Sequence, residues 1–193
     1  TVVSSGMQVN RMTGLGTFGT HTVVPQSAVV PIGKDIPFPQ AALVGCGVST
    51  GVGAVINTAQ VKPGTTVAVF GCGGVGLNCI QGAFIAGATT IIAVDLLDKK
   101  LDMAREFGAT DTVNAGHGDP VEQIFALTDG LGTDYAFEAI GIVEEPFVQS
   151  IMCTRKGGVT VWVGHAPVNT PVTIDARSLL FEKTVKASLY GSV

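Results

Sequence analysis

Charge is what this sequence has least of. Only 13% of its 193 residues are charged and only 6% are aromatic. Among the first 94 residues the charged ones are Arg11, Lys34, Asp35 and Lys62, so the other 22 lie from Asp95 onward. No cluster of Lys or Arg occurs and the net charge is −4, which argues against a nucleic-acid partner. No CxxC occurs among Cys46, Cys72, Cys79 and Cys153. Their spacing fits neither a zinc ribbon nor a disulfide framework, so a reducing, cytoplasmic setting is expected. No basic segment followed by an apolar core opens the chain, hence no secretory signal is visible. The first residue is Thr1 and not Met, which suggests a start within a longer protein.

What is present is apolar and glycine-rich: 46% hydrophobic residues and 26 glycines. Such a composition excludes intrinsic disorder, and no G-X-Y or heptad period points to a fibre. The charge-free stretch 63–94 raises the question of a membrane span. Pro63 and seven glycines, four of them within 71–76, argue against one. A soluble core is the better expectation for it.

From about residue 60 strand-like and helix-like segments alternate. Val67 to Phe70 reads as a buried strand, followed by a glycine cluster and an apolar helix ending near Gly87. Residues 91–95 form the next strand, and 98–107 a helix with Leu101, Ala104 and Phe107 on one side and Gly108 as its stop. Strands are expected at 110–114, 135–138, 159–163 and 185–189. Helices are expected around Val121 to Leu127 and Phe147 to Met152, the second left through Gly157-Gly158. Repeated βα units with short links predict a doubly wound α/β fold with a parallel six-stranded sheet. Residues 1–47 differ in texture. Thr22-Val23-Val24 and Ala28-Val29-Val30 read as short strands among Gly, Thr and Pro, so this part is expected to end a β-rich domain. The α/β domain is expected at 48–193, entered through a helix around 48–58.

Gly71-x-Gly73-x-x-Gly76 leaves a strand and opens a helix, and Asp95 ends the next strand. Those are the parts of a dinucleotide fingerprint. Gly71 permits the tight turn, Gly73 lets a pyrophosphate approach the backbone, and Gly76 lets helix and strand pack closely. The helix N-terminus offers free N–H groups to the phosphates. Asp95 is placed to accept from ribose hydroxyls and would repel a 2′-phosphate. NAD is therefore expected over NADP. A Gly-rich turn without a ligand is the bland alternative.

Preceded by Gly45-Cys46-Gly47-Val48-Ser49-Thr50-Gly51, this fingerprint resembles that of the zinc-containing alcohol dehydrogenases of the medium-chain dehydrogenase/reductase superfamily. The likeness runs from Gly19-Thr20-His21-Thr22 through Phe137-Glu138-Ala139-Ile140-Gly141 to Val163-Gly164. It implies a Rossmann domain preceded by the C-terminal part of a GroES-like catalytic domain. It also implies zinc, with Cys46 as one ligand on the strand ahead of the inter-domain helix. The other ligands and the proton relay would lie upstream of residue 1. By the same resemblance Gly74, Val75 and Thr50 adjoin the phosphates or the nicotinamide, and Lys100 adjoins the adenosine ribose. Ile140 lines the adenine side, and Val163, Ser188 and Tyr190 lie near the carboxamide. His21 and His165 lack ligand-like spacing with Cys46 and read as ordinary polar residues.

The resemblance implies oxidation of an alcohol to an aldehyde or ketone, or the reverse, with a small alcohol or carbonyl compound as substrate. It also implies a homodimer formed through the last sheet strand, near 172–174 and 185–189. The chain alone is expected to bind NAD(H) and turn over no alcohol. Two other functions stay open: a zinc-independent quinone or enoyl reductase of the same superfamily, and a non-catalytic NAD-binding module. A short-chain dehydrogenase does not fit, because no Tyr-x-x-x-Lys pair is present.

Overall fold

The computed structural model describes residues 2–4, 7–9, 15–17 and 19–192. By contacts it divides into two units, Thr1–Phe38 and Pro39–Val193. The division falls ahead of the expected 47/48 boundary, because the helical run that carries Cys46 goes with the second unit.

In the first unit, β1 (Val2–Ser4) and β2 (Met7–Val9) pair antiparallel. The strands expected at 22–24 and 28–30 do not form. Residues 21–25 are irregular, Gln26–Ala28 make a single 3-10 turn, and Val23 is 97% exposed. A β-prone run becomes a strand only where another strand takes up its N–H and C=O groups. None among the described residues does so here.

The second unit opens with a continuous helical run, Phe38–Ala59. It comprises α1 (Phe38–Leu43), a π-helical stretch Val44–Val48, α2 (Ser49–Gly53) and a second π stretch Ala54–Ala59. Cys46 thus sits in a helical turn and not on the expected strand. Among the described residues this run is the one helix long and apolar enough to cross a membrane, and 28% of its apolar 18-residue window is buried within the protein. Its buried part packs on α3 (Gly74–Ile85). At Gly51 the backbones come so close that a Cβ would lie 2.5 Å from the Val75 carbonyl oxygen.

Next come β3 (Thr66–Phe70), α3, β4 (Thr90–Asp95), α4 (Asp98–Glu106), β5 (Asp111–Asn114) and α5 (Pro120–Leu127). They are followed by β6 (Thr133–Glu138), α6 (Glu144–Met152), β7 (Thr154–Trp162) and β8 (Thr184–Ala187). The sheet is six-stranded and parallel, in the order β5-β4-β3-β6-β7-β8. This is the doubly wound fold expected. Two details differ. Gly157-Gly158 lie inside β7, because that strand begins immediately after α6, and 172–174 form no strand.

Alternation along the strands separates two cores. Val67, Val69, Ile91 and Ala93 meet Leu77, Ile80 and Ala83 of α3 and Leu101 and Ala104 of α4. Ala68, Phe70, Ile92 and Val94 face the other way, against Ile124 of α5 and Cys153. Both faces are covered, which is why the central strands tolerate near-continuous apolar sequence. From β3 the chain winds outward through β4 and β5, then returns to place β6 against β3. Where the winding reverses, the carboxyl ends of neighbouring strands diverge and leave a crevice.

Candidate functional site: a cleft at the carboxyl ends of β3, β4 and β6

A cleft of about 660 Å³ occupies that crevice. Its wall includes Gly71 and Gly73 after β3, Asp95 and Leu96 at the end of β4, Lys100 of α4, and Ile140 and Ile142 after β6. Of the expected cofactor residues, Gly71, Gly73, Asp95, Lys100 and Ile140 thus come together in one cavity.

Gly71 and Gly76 stand where a side chain would not fit. Gly71 has φ +91°, a left-handed conformation costly to side chains, and a Cβ there would lie 2.5 Å from Ile140 Cγ1. A Cβ on Gly76 would overlap the Gly71 carbonyl oxygen. Gly73 and Gly74 instead face open space and are exposed. Gly73 caps α3 without any side-chain acceptor, so no side chain competes for the N–H groups of the first turn. An uncapped helix start beneath open glycines fits a pyrophosphate.

Asp95 is held firmly. Its Oδ2 accepts from the Cys72 amide at 2.8 Å, its Oδ1 accepts from the Leu97 amide at 3.1 Å, and Lys100 Nζ lies 3.5 Å from Oδ2. The Asp95 side chain is only 8% exposed, whereas that of Lys100 is 46% exposed. Each carboxylate oxygen keeps acceptor capacity after one backbone bond. A carboxylate held in this way fits the hydroxyls of a nucleotide ribose.

The remaining expected residues gather beside the first turn of α3. Val75 abuts α2, which carries Thr50. Gly191, with φ +71°, packs on Gly53 and on the Ser49 carbonyl. Ser188 donates its amide to Trp162 at the end of β7, next to Val163, and its hydroxyl is 2.8 Å from that of Thr58. Tyr190 is half-buried in the same turn. None of these residues lines the cleft itself.

The described residues do not by themselves complete a zinc site. Cys46 is exposed, as are His21 and His165, and among the described residues no three His, Cys, Asp or Glu side chains converge. Cys72, Cys79 and Cys153 are buried thiols, each pushed up to about 12 by loss of solvent. They behave as small core residues.

Sequence reading missed Glu138. It ends β6 fully buried, and its Oε1 accepts from the amides of Ile140 at 2.7 Å and Gly141 at 2.8 Å. Its main-chain carbonyl accepts from Val163 at 2.8 Å and Gly164 at 2.9 Å. Burial pushes the Glu138 carboxyl up, opposed by the amides of Gly141, Ile140 and Gly164. The available signal was a carboxylate closing the apolar run Tyr135-Ala136-Phe137. Ile142, Val143, Glu145, Pro146 and Gln149 of the cleft wall carried no signal at all.

Fold and cleft together define a Rossmann-type domain. The zinc-binding dehydrogenase family matches residues 74–193. An alcohol dehydrogenase zinc-binding domain protein from Burkholderia ambifaria is 38% identical, over 83% of this chain and 43% of that one, with a TM-score of 0.79. Benzyl alcohol dehydrogenase from Acinetobacter calcoaceticus is 35% identical, over 84% of this chain and 45% of that one, with a TM-score of 0.81. A zinc-binding dehydrogenase from Sinorhizobium meliloti, solved with NADP bound, is 33% identical, over 80% of this chain and 46% of that one, with a TM-score of 0.74. The chain belongs to the zinc-containing alcohol dehydrogenase family of the medium-chain dehydrogenase/reductase superfamily. It spans less than half the length of these structures.

Proposed function

We propose that this chain is the cofactor-binding part of an NAD(H)-dependent alcohol dehydrogenase, which oxidises an alcohol to an aldehyde or ketone or runs in reverse. The observation that carries the reading is the tethered Asp95 carboxylate facing the same cleft as Gly71 and Gly73. When bound, the cofactor supplies a nicotinamide ring that takes or returns a hydride. The chain's own residues bind and orient it. The amides at the start of α3 hold the pyrophosphate, Asp95 accepts from the ribose hydroxyls, and Lys100 adds positive charge beside them. Ile140 and Ile142 give the adenine an apolar wall. Thr50, Val75, Val163, Ser188 and Tyr190 are assigned to the nicotinamide end.

A 2′-phosphate would bring negative charge against Asp95, where neither Leu96 nor Leu97 supplies a cation, so NAD is preferred over NADP. The NADP-bound relative from Sinorhizobium meliloti marks this preference as the point to measure. Residues 1–47 are assigned to the end of the catalytic domain of the intact enzyme, and 48–193 to the cofactor domain. Zinc assistance is assigned to that intact enzyme, with Cys46 as the contribution of this chain. Its substrate would be a small alcohol or carbonyl compound. A cytoplasmic homodimer, joined through the edge strand β8, completes the reading.

The test is fluorescence titration of the chain with NADH and with NADPH, beside an alcohol-oxidation assay of the full-length gene product. NADH binding at least about tenfold tighter than NADPH, with NAD-dependent oxidation by the full-length product, is expected. No binding of either dinucleotide would refute the reading.

A further inference from the structure

Glu138 is the one charged residue fully buried among the described residues, and it does not line the cleft. A charged side chain at the end of a strand between packed layers demands a return, because an apolar residue of similar size is often neutral or better there. Two observations say what the return is. Oε1 gathers the amides of Ile140 and Gly141, the second and third residues after β6, and Ile140 is a wall of the cleft. The same residue's main-chain carbonyl gathers Val163 and Gly164 after β7.

Two loops at the carboxyl edge of the sheet are thus fastened to one residue. The fit around it is close. Gly141 has φ +79°, and a Cβ on Gly164 would overlap Glu138 Oε2 and the Gly141 amide nitrogen. Among the described residues, Oε2 itself is buried without a hydrogen-bond partner. On β7 the register partner of Glu138 is Trp162, whose indole Nε1 is likewise buried and unpartnered. Strand packing alone would have removed such groups, because each costs free energy. Retaining the carboxylate makes sense where the geometry of the loop after β6 matters more than the cost.

We propose that Glu138 is a positioning residue for the cofactor, its buried carboxylate setting the loop from which Ile140 forms the cleft wall. The proposal rests on the NAD(H) reading above, and it assigns Glu138 no contact with the cofactor. A neutral amide at this position keeps one acceptor for the two loop amides, though a weaker one. A leucine fills the space and keeps none.

The experiment compares the wild-type chain with Glu138→Gln, Glu138→Leu and Thr160→Val. It reads the NADH Kd by fluorescence, the melting temperature, and amide hydrogen exchange at Ile140 and Gly141. Thr160 is buried on β7 and bonds Thr154 and Ser150, so Thr160→Val lowers the melting temperature and leaves Kd unchanged. Glu138→Leu is expected to raise Kd about tenfold or more, and Glu138→Gln about threefold, both with faster exchange at the two amides. Wild-type affinity in Glu138→Leu overturns the proposal, as does a Kd change no larger than that of an equally destabilised Thr160→Val. Should Glu138→Leu fail to fold, Glu138→Gln decides: faster loop exchange with a raised Kd supports the role, and wild-type values for both overturn it. A wild-type chain that binds no NADH overturns the cofactor reading and this proposal together, whereas normal wild-type binding with unaltered variants overturns this proposal alone.

Discussion

The backbone amide of Cys72 donates to Asp95 Oδ2 at 2.8 Å, so the fingerprint loop after β3 is tied to the acidic end of β4. The residue expected to select the cofactor is therefore also part of the frame that shapes its loop. Asp95→Ala should raise the NADH Kd about tenfold or more, through lost ribose acceptors and a loosened loop. The NADPH Kd should rise less, so that the ratio of the two moves toward NADPH. Parallel titrations measure both, and an unchanged ratio would remove Asp95 from the specificity argument.

Gly73 and Gly76 belong to one motif, yet substitutions at the two should have different effects. Gly76→Ala pushes a methyl into the Gly71 carbonyl and is expected to destabilise the domain by ~1–3 kcal/mol or more. Gly73→Ala enters open space at an ordinary backbone conformation and should melt like wild type. It should nonetheless bind NADH at least about tenfold less tightly, because the methyl stands where backbone meets pyrophosphate. Thermal melts and titrations on both variants give the contrast.

Thiol chemistry should report the core. Cys46 is exposed and should be modified readily by a disulfide reagent at pH 8, whereas Cys72, Cys79 and Cys153 should react only on unfolding. The three buried thiols are raised from 9.0 to about 12. A raised thiol is neutral in the folded state over a range where the unfolded chain ionises. Its contribution is complete below pH 9 and is lost as pH climbs toward 12. The melting temperature should accordingly fall above pH 9, and a flat profile up to pH 11 would contradict these environments.

Removing metal should leave this chain as it was. Among the described residues no set of three candidate ligands converges. A strong chelator should therefore change neither its melting temperature nor its NADH Kd. A drop in either would reveal a site formed by donors that the fold does not bring together.

A core truncation remote from the cleft calibrates the others. Ile92 is fully buried in the layer of Ile124 and Val113. Ile92→Ala should cost ~2–5 kcal/mol and lower the melting temperature, with little change in Kd where the variant is folded.

The sequence carried the α/β domain because its signals are local and periodic. Val67 to Phe70 and Ile91 to Val94 are uninterrupted apolar runs, and Gly71-x-Gly73-x-x-Gly76 links the first of them to a helix. Asp95 was legible for the same reason, since its place at the end of the next strand marks it, whereas Lys100 came only with the family resemblance. Two kinds of feature were not. The runs at 22–24 and 28–30 have strand composition, yet strand formation depends on partners that composition does not specify. Glu138 was quoted only as part of a motif, because the bonds that define it lead to amides of a loop whose shape no periodicity encodes. The π-helical stretches around Cys46 belong to the same class, for nothing in Val44–Val48 distinguishes them from an ordinary helix or a strand.

The strand order β5-β4-β3-β6-β7-β8 also sets a timetable. During synthesis β3 can pair with β4 almost as soon as both have emerged, through a short βα link. Its other edge has no partner until 133–138 has been made, because the chain first winds outward through β4 and β5. In that interval Val67, Val69 and Phe70 present an apolar strand with one bare side, the kind of surface that pairs with the wrong chain. Closing the sheet across so long a loop makes the β3–β6 pairing the slow contact of folding. Expression yield of this domain should thus respond to translation speed between residues 95 and 138 more than to the strength of any single contact in the finished molecule.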